Sequence, residues 1–410
     1  MRSLPAAAVV ILICTSVSTM TDGTVWSFDR LDRVGGHKTT VEGAPRVIDT
    51  AVGKAVEFDG VDDALFVDVH PLAGAKVFTW EAIFRPDGGS EAQRWFHLQE
   101  SASDNRLLFE LRVLEGKWYF DSYLHSDANQ KALIDKTKVH PLLAWYHVAA
   151  VYDGREFRNY VNGVQEGAAE IHFDAQGSGR SSIGVRINKV YYFKGAIHTA
   201  RFTPRALRPA EFLKLTGAWN PVSFPAPDGV VVQGDLYGKG DRGVVLAHGG
   251  RFDKASWSEQ AYALMKAGFR VLAVNLRFDG HAKDDVLGAV RYLRRDGAKT
   301  ISIVGASFGG DAAAEVAVEA PRGEIDRLVL LAHSPIDAPE RMQGRKLFIV
   351  ARDDANAAGP RLPGIQNQYE RASDPKELIV LDGDAHAQFL FATDQRERVT
   401  RDILRFLSKP

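Results

Sequence analysis

The pentapeptide Gly305-Ala306-Ser307-Phe308-Gly309 sets one hydroxyl between glycines. It follows the apolar run 300–304 and precedes the small-residue run 310–315, a pattern of strand, sharp turn and helix with serine at the apex. A side chain lifted onto such a turn needs neighbours without side chains, because strand and helix approach closely there. A serine nucleophile needs a base, and the base needs an orienting group. Two further strand-like runs offer both. Residues 346–351 lead into Arg352-Asp353-Asp354, and 377–381 lead into Asp382-Gly383-Asp384-Ala385-His386. Upstream, 243–247 ends in His248-Gly249-Gly250, a flexible turn whose backbone N–H groups would form one half of an oxyanion hole. The N–H of Phe308 would form the other half. The chemistry expected of these residues is acyl transfer.

The elements that must position them alternate. Strand-like runs at 230–232, 270–274 and 327–331 are interleaved with helical patterns at 256–267, 284–295 and 395–407. Val286, Leu287, Val290 and Leu293 share one helix face, and Val399, Ile403 and Phe406 another. Apolar strands without strict alternation predict a doubly wound, mostly parallel sheet covered on both faces. Polar residues just past its strands lie where binding and catalytic groups of such sheets collect. Between 331 and 346 only about a dozen residues are available, too few for a lid. The site is therefore expected to be open and shallow, walled by Arg251, Phe252, Phe308 and the turn at His333-Ser334-Pro335.

On His248-Gly249-Gly250, the serine turn, Asp354 and His386, residues 222–410 resemble the α/β-hydrolases, nearest to the dienelactone-hydrolase-like and serine-esterase members. The resemblance implies Ser307 as nucleophile, His386 as general base and acid, and Asp354 as the residue that fixes the imidazole. It also implies an oxyanion hole at Phe308 and Gly250, with Arg251, Phe252 and His333 lining the substrate pocket. Asp353 is an adjacent competitor for the acid role, and Asp337 a remoter one.

Residues 24–215 read differently. Alternating runs recur at 55–58, 64–69, 78–84, 106–111, 117–120, 147–152 and 157–161, with hairpin signals at Asp153-Gly154 and Asn162-Gly163. Many short strands without helical period predict an all-β sandwich or jelly roll. The segments 58–63, 78–81, 145–149, 152–154 and 160–163, followed by Gly195-Ala196-Ile197 and Arg205-Ala206-Leu207 with Glu211, resemble the laminin-G-like, concanavalin A-like jelly roll. That resemblance implies a glycan or protein ligand, often with calcium. Asp59, Asp62 and Asp63 could supply hard oxygen ligands, but a solvated turn is the preferred interpretation, and no metal site is assigned. Trp145 and His147 are expected in the core. No carboxylate pair of the glycosidase kind is apparent. A short connection at 216–221 separates the two halves.

Residues 1–18 combine Arg2, an uncharged apolar stretch from 5 to 17 and a small-x-small site at Ser16-Val17-Ser18, the pattern of a secretory signal peptide. The single cysteine, Cys14, falls inside it, so the mature chain would contain neither thiol nor disulfide, which suits a bacterial periplasm or exterior. Basic and acidic residues balance, 51 against 52, and nothing points to nucleic acid. The sequence thus predicts a secreted or periplasmic, multidomain serine hydrolase with no cofactor and no transmembrane span in the mature chain. Its substrate would be a small-molecule or polysaccharide-linked ester, and its jelly roll would carry a glycan or surface ligand. Two alternatives stand beside it: an inert hydrolase fold in a binding or adhesion protein, and a peptidase or thioesterase using the same residues.

Overall fold

A computed structural model describes residues 23–409. The expected signal peptide and Cys14 lie outside the described residues. No described helix is long and apolar enough to cross a membrane.

The first half is two antiparallel sheets face to face. One runs, in spatial order, through Val164–Glu170, Glu156–Val161, Tyr146–Tyr152, Phe78–Pro86, Lys194–Thr203, Gly53–Asp59 and Arg46–Thr50. The other runs through Asn129–Ile134, Lys117–Ser126, Arg106–Leu114, Ala92–Glu100, Gly179–Ile183, Ala64–Val67, His37–Glu42 and Arg33–Val34. Aromatic rings from the two inner faces interlock. Trp80 stacks on Phe109 at 3.8 Å between centroids, and Phe84 on Trp95 at 4.2 Å. Aromatic pairs of this kind add about 1 kcal/mol each beyond the burial of their area. This half is a jelly-roll sandwich, as its alternating runs predicted.

One strand departs from simple alternation. Phe78–Pro86 is buried at every position, because its outer face is covered too. Thr79 accepts from the Leu207 N–H. Glu81 accepts from the Leu213 N–H and from Arg201, and His147 Nε2 lies 3.0 Å from it. The chain beyond residue 204 folds back over this sheet, and Trp145 and His147 are buried beneath it.

The second half is one eight-stranded sheet. Its order is Trp219–Pro225, Val231–Tyr237, Phe269–Val274, Arg242–Ala247, Thr300–Ala306, Arg327–Leu331, Arg345–Ala351 and Lys376–Leu381. The first two strands pair antiparallel to their neighbours, and the rest run parallel. The expected connection at 216–221 needs correction. Trp219, Asn220 and Pro221 are already in the sheet, with Trp219 opposite Tyr237. The sheet therefore begins before residue 222, and the Ala218 N–H is tied to the Ala51 carbonyl.

From Arg242–Ala247 the chain crosses to Phe269–Val274 on one side, then returns past it to Thr300–Ala306 on the other. Right-handed crossovers in opposite directions put their helices on opposite faces. Accordingly Ala282–Arg295 packs with Phe308–Glu319, while Ser258–Lys266 packs with Arg396–Ser408. The winding reverses between Arg242–Ala247 and Thr300–Ala306, and a crevice opens there beyond the strand ends. Those ends carry His248-Gly249-Gly250 and Ser307.

The halves are joined by a buried ion cluster. Arg85 donates to both oxygens of Asp87 at 2.7 Å and lies 3.4 Å from Glu57 and 3.3 Å from Glu259. Arg396 donates to Glu57 at 2.5 Å and to Asp87 at 3.0 Å. Glu259 also accepts from Trp145 Nε1 at 2.8 Å. Arg85 and Asp87 are both nearly devoid of solvent. Burial and Arg85 pull Asp87 in opposite directions, and the surrounding cations hold its carboxyl below the usual range. Removing one member of such a cluster leaves buried charge unpaired. Arg85→Met should therefore cost about 3–5 kcal/mol in equilibrium unfolding. Arg405→Met, at an exposed pair with Glu377, should cost no more than about 1 kcal/mol.

Candidate active site

The serine turn is built by close backbone contact. A Cβ on Gly305 would lie 2.5 Å from the Gly309 carbonyl oxygen, and one on Gly309 would collide with the backbone of Ala247 and His248. Ser307 itself is forced to φ 48°, a costly conformation for a residue with a Cβ. Two hydrogen bonds hold it there: its N–H donates to the Leu331 carbonyl at 2.8 Å, and its carbonyl accepts from Asp311 N–H at 2.9 Å. Helix Phe308–Glu319 starts at the next residue, so its N-terminal N–H groups and positive dipole end face the same crevice.

Three predicted residues from three strand ends meet here. His386 Nε2 lies 2.8 Å from Ser307 Oγ, and His386 Nδ1 lies 2.8 Å from Asp354 Oδ2. Asp354 is buried, whereas the imidazole keeps 28% of its side-chain surface exposed. A buried carboxylate on Nδ1 fixes that nitrogen as the N–H donor and leaves Nε2 free to accept the serine proton. Asp353 is exposed, with its N–H donating to the Gly383 carbonyl. Asp337 is exposed too, its carbonyl accepting from Arg371. Neither touches the imidazole.

The Gly249 N–H is already engaged, donating to Gln388 Oε1 at 3.0 Å. Gly250 faces Phe308: a Cβ there would sit 4.0 Å from Phe308 Cβ and 3.9 Å from the Phe278 ring. His248 accepts at Nε2 from the Leu276 N–H at 3.0 Å and donates from Nδ1 to the Gly249 carbonyl. Burial lowers its pKa and keeps it neutral, so it braces the turn without carrying charge.

The expected pocket walls are redistributed. Arg251 is exposed. Phe252 is buried, 4.7 Å from the Phe389 ring, and backs the loop. His333 does not line the cleft. It is 1% exposed, its Nε2 lies 3.1 Å from Gln368 Oε1, and its ring packs on Phe348. The chain turns at Ala332, φ 46°, and Gly310 leaves only enough room for the imidazole to fold under the helix. Burial lowers its pKa to about 4. Phe278, which no motif singles out, is 64% exposed and stacks on Phe308 at 5.0 Å. Its loop is held by Arg277, whose backbone and side chain both donate to buried Asp285. A single aromatic in a loop leaves no periodic signal, so only the fold brings it to Phe308.

In the jelly roll the carboxylates of Asp59 and Asp63 accept from backbone N–H groups of Ala44, Asp59, Val61 and Asp62. A second acidic group carries no sequence signal. Glu110 and Asp121 are cross-strand partners, both buried, bracketed by Arg94 and Arg112. Burial first, and Glu110 beside it second, push the Asp121 carboxyl up to about 8.

Residues 59–212 match the Concanavalin A-like lectin/glucanases superfamily. No curated protein matches the chain. Among solved structures, an esterase from Pyrococcus furiosus is similar at 19% identity and TM-score 0.40, covering 46% of this chain and 91% of its own. A dienelactone hydrolase from Anabaena variabilis is similar at 23% identity and TM-score 0.40, covering 46% and 95%. Domain 4 of AbnA, an extracellular arabinanase of Geobacillus stearothermophilus, is similar at 18% identity and TM-score 0.39, covering 46% and 95%.

The Asp121 shift has a stability consequence. Its folded-state pKa is raised, so the folded form holds the proton more tightly, and that stabilisation fades as pH rises from the unfolded value toward about 8. Asp121→Asn cannot ionise. Its melting temperature should gain on wild type by several degrees between pH 5 and 8.5, and a pH-independent gap would contradict the proton-sharing pair.

Proposed function

We propose that this protein is an exported serine hydrolase of the α/β-hydrolase type that cleaves carboxylic esters. The observation that carries the proposal is the continuous hydrogen-bonded line from Ser307 Oγ through His386 to Asp354. In the proposed reaction His386 Nε2 takes the Ser307 proton as Oγ attacks the acyl carbon. The oxyanion is proposed to be held by the N–H groups of Phe308 and Gly250, at the positive end of the helix. His386 then passes its proton to the leaving alkoxide, giving acyl-Ser307 and an alcohol. Water attacks that ester by the same steps in reverse, with His386 as base. Asp354 keeps the imidazole in the working tautomer throughout and stabilises its cation.

The pair of exposed Phe278 and half-buried Phe308 supports a substrate with a flat apolar or sugar ring beside the scissile bond, since such faces stack on aromatic rings. The jelly roll is proposed to hold the enzyme on a glycan or surface, raising local substrate concentration without entering the chemistry. Export is proposed from the N-terminal leader pattern.

The test combines a fluorophosphonate probe with a panel of short-chain aryl esters and acetylated sugars. Wild type should label at Ser307 and turn over one of the esters. Ser307→Ala should abolish labelling and lower turnover on the order of a thousandfold or more without loss of fold. Asp354→Asn should cripple turnover on a similar scale, while Asp353→Asn should leave it within about twofold. Substantial turnover in Ser307→Ala would sink the proposal.

A further inference from the structure

Two loops carry the Gly250 N–H and the imidazole that the proposed reaction uses. One follows Ala247 and contains Gly250; the other contains His386. They are tied to each other by the Gly249 N–H on Gln388 and by the Phe252–Phe389 contact. Both also touch one and the same jelly-roll turn. Leu114 pairs with Lys117, leaving a two-residue turn in which Glu115 has φ 49° and Gly116 φ 75°. Two positive φ values in a two-residue loop give the tight hairpin that matches strand twist. The Arg251 guanidinium donates to the Glu115 carbonyl. A Cβ on Gly116 would lie 2.5 Å from Cζ of Phe389 and 3.6 Å from Cδ of Arg251. The turn thus presses backbone against both loops, with space for a hydrogen and nothing larger.

We infer that the jelly-roll turn at Glu115 and Gly116 is a positioning element of the active site. It clamps the glycine-containing loop against the histidine loop through Arg251 and Phe389, and so fixes the distance between the oxyanion donors and the base. This inference rests on the serine-hydrolase proposal above. Glu115 and Gly116 are not catalytic residues; they act through groups one residue from Gly250 and three residues from His386. The clamp answers a need the sheet leaves open. Gly249 and Gly250 give their loop little intrinsic stiffness, and a displacement of about 1 Å in such a site costs on the order of a hundredfold in rate.

The test sets Gly116→Ala against Gly163→Ala in the full chain. Gly163 has φ 79° in another jelly-roll hairpin, and a Cβ placed on it would meet nothing within 4 Å. Both variants carry the same backbone penalty, and only one meets the site. On a soluble aryl ester Gly116→Ala should lose about tenfold or more in kcat with little change in KM. Gly163→Ala should stay within about twofold of wild type, with both proteins melting within a few degrees of each other. Arg251→Met serves as a second probe if Gly116→Ala does not fold: a clamp predicts a fall in kcat, a mere substrate contact a rise in KM alone. Wild-type labelling by a fluorophosphonate with equal kcat in the two glycine variants, or a rise in KM alone for Arg251→Met, overturns the inference and spares the proposed reaction. A wild type that neither labels nor turns over overturns both.

Discussion

A guanidinium removed from water must be surrounded by carboxylates, and Arg85 draws them from both halves of the chain. Asp87 and Glu57 come from the jelly roll, Glu259 from the first helix of the parallel sheet, and Arg396 returns from the last helix to share Glu57 and Asp87. Each charge there is tolerable only while the others stay in place. The two sheets are therefore not beads on a string. Their mutual placement is fixed by a cluster that loses its compensation if either half moves, with Trp145 and the Lys194 ammonium adding hydrogen bonds across the same seam.

That fixed seam gives meaning to a contact that would otherwise be incidental. A hairpin tip can steady an enzyme loop only if its own domain is held still. The turn at Glu115 and Gly116 joins Arg106–Leu114, which pairs with Ala92–Glu100, to Lys117–Ser126, and these two strands carry the Glu110–Asp121 pair. It meets Arg251 and Phe389. A detachable binding module beside a self-sufficient catalytic sheet fits poorly with this arrangement. The outer face of Phe78–Pro86 is closed by the connecting chain, and a cut at residue 222 would split the edge strand Trp219–Pro225.

Some of this was legible in the residues and some was not, for identifiable reasons. Local periodicity reports the immediate neighbours of a strand. It therefore revealed the apolar parallel strands and the alternating jelly-roll strands, and it placed Ser307, Asp354 and His386 just past strands of one parallel sheet. The choice of Asp354 over Asp353 came from the resemblance to the α/β-hydrolases, through their usual spacing after a small residue such as Ala351. Periodicity carries no information on what covers an outer face, so Glu81 and Arg85 looked like the solvated side of a strand and are instead among its most buried residues. His333 misled for the same reason. A polar residue after a strand is on average exposed, but a positive φ at Ala332 turns this one beneath the helix. Phe278 and Gln388 act through tertiary proximity alone, which neither motif nor spacing encodes.

The strained serine bears on whether the site works or is a relic. At φ 48° Ser307 occupies a conformation that costs stability, and the structure maintains it by excluding side chains at Gly305 and Gly309 and by capturing its N–H and carbonyl. A sheet-to-helix turn with no chemical duty has easier conformations available, and strain of this kind persists where surrounding contacts over-determine it. The same holds for Asp354, a buried carboxylate whose Oδ2 is 2.8 Å from the imidazole and whose Oδ1 is 3.5 Å from Arg361. A binding protein built on this sheet would gain from replacing the buried acid by an apolar residue and the strained serine by glycine. Retaining both, in register with an imidazole between them, weighs toward a reaction in which the serine proton moves.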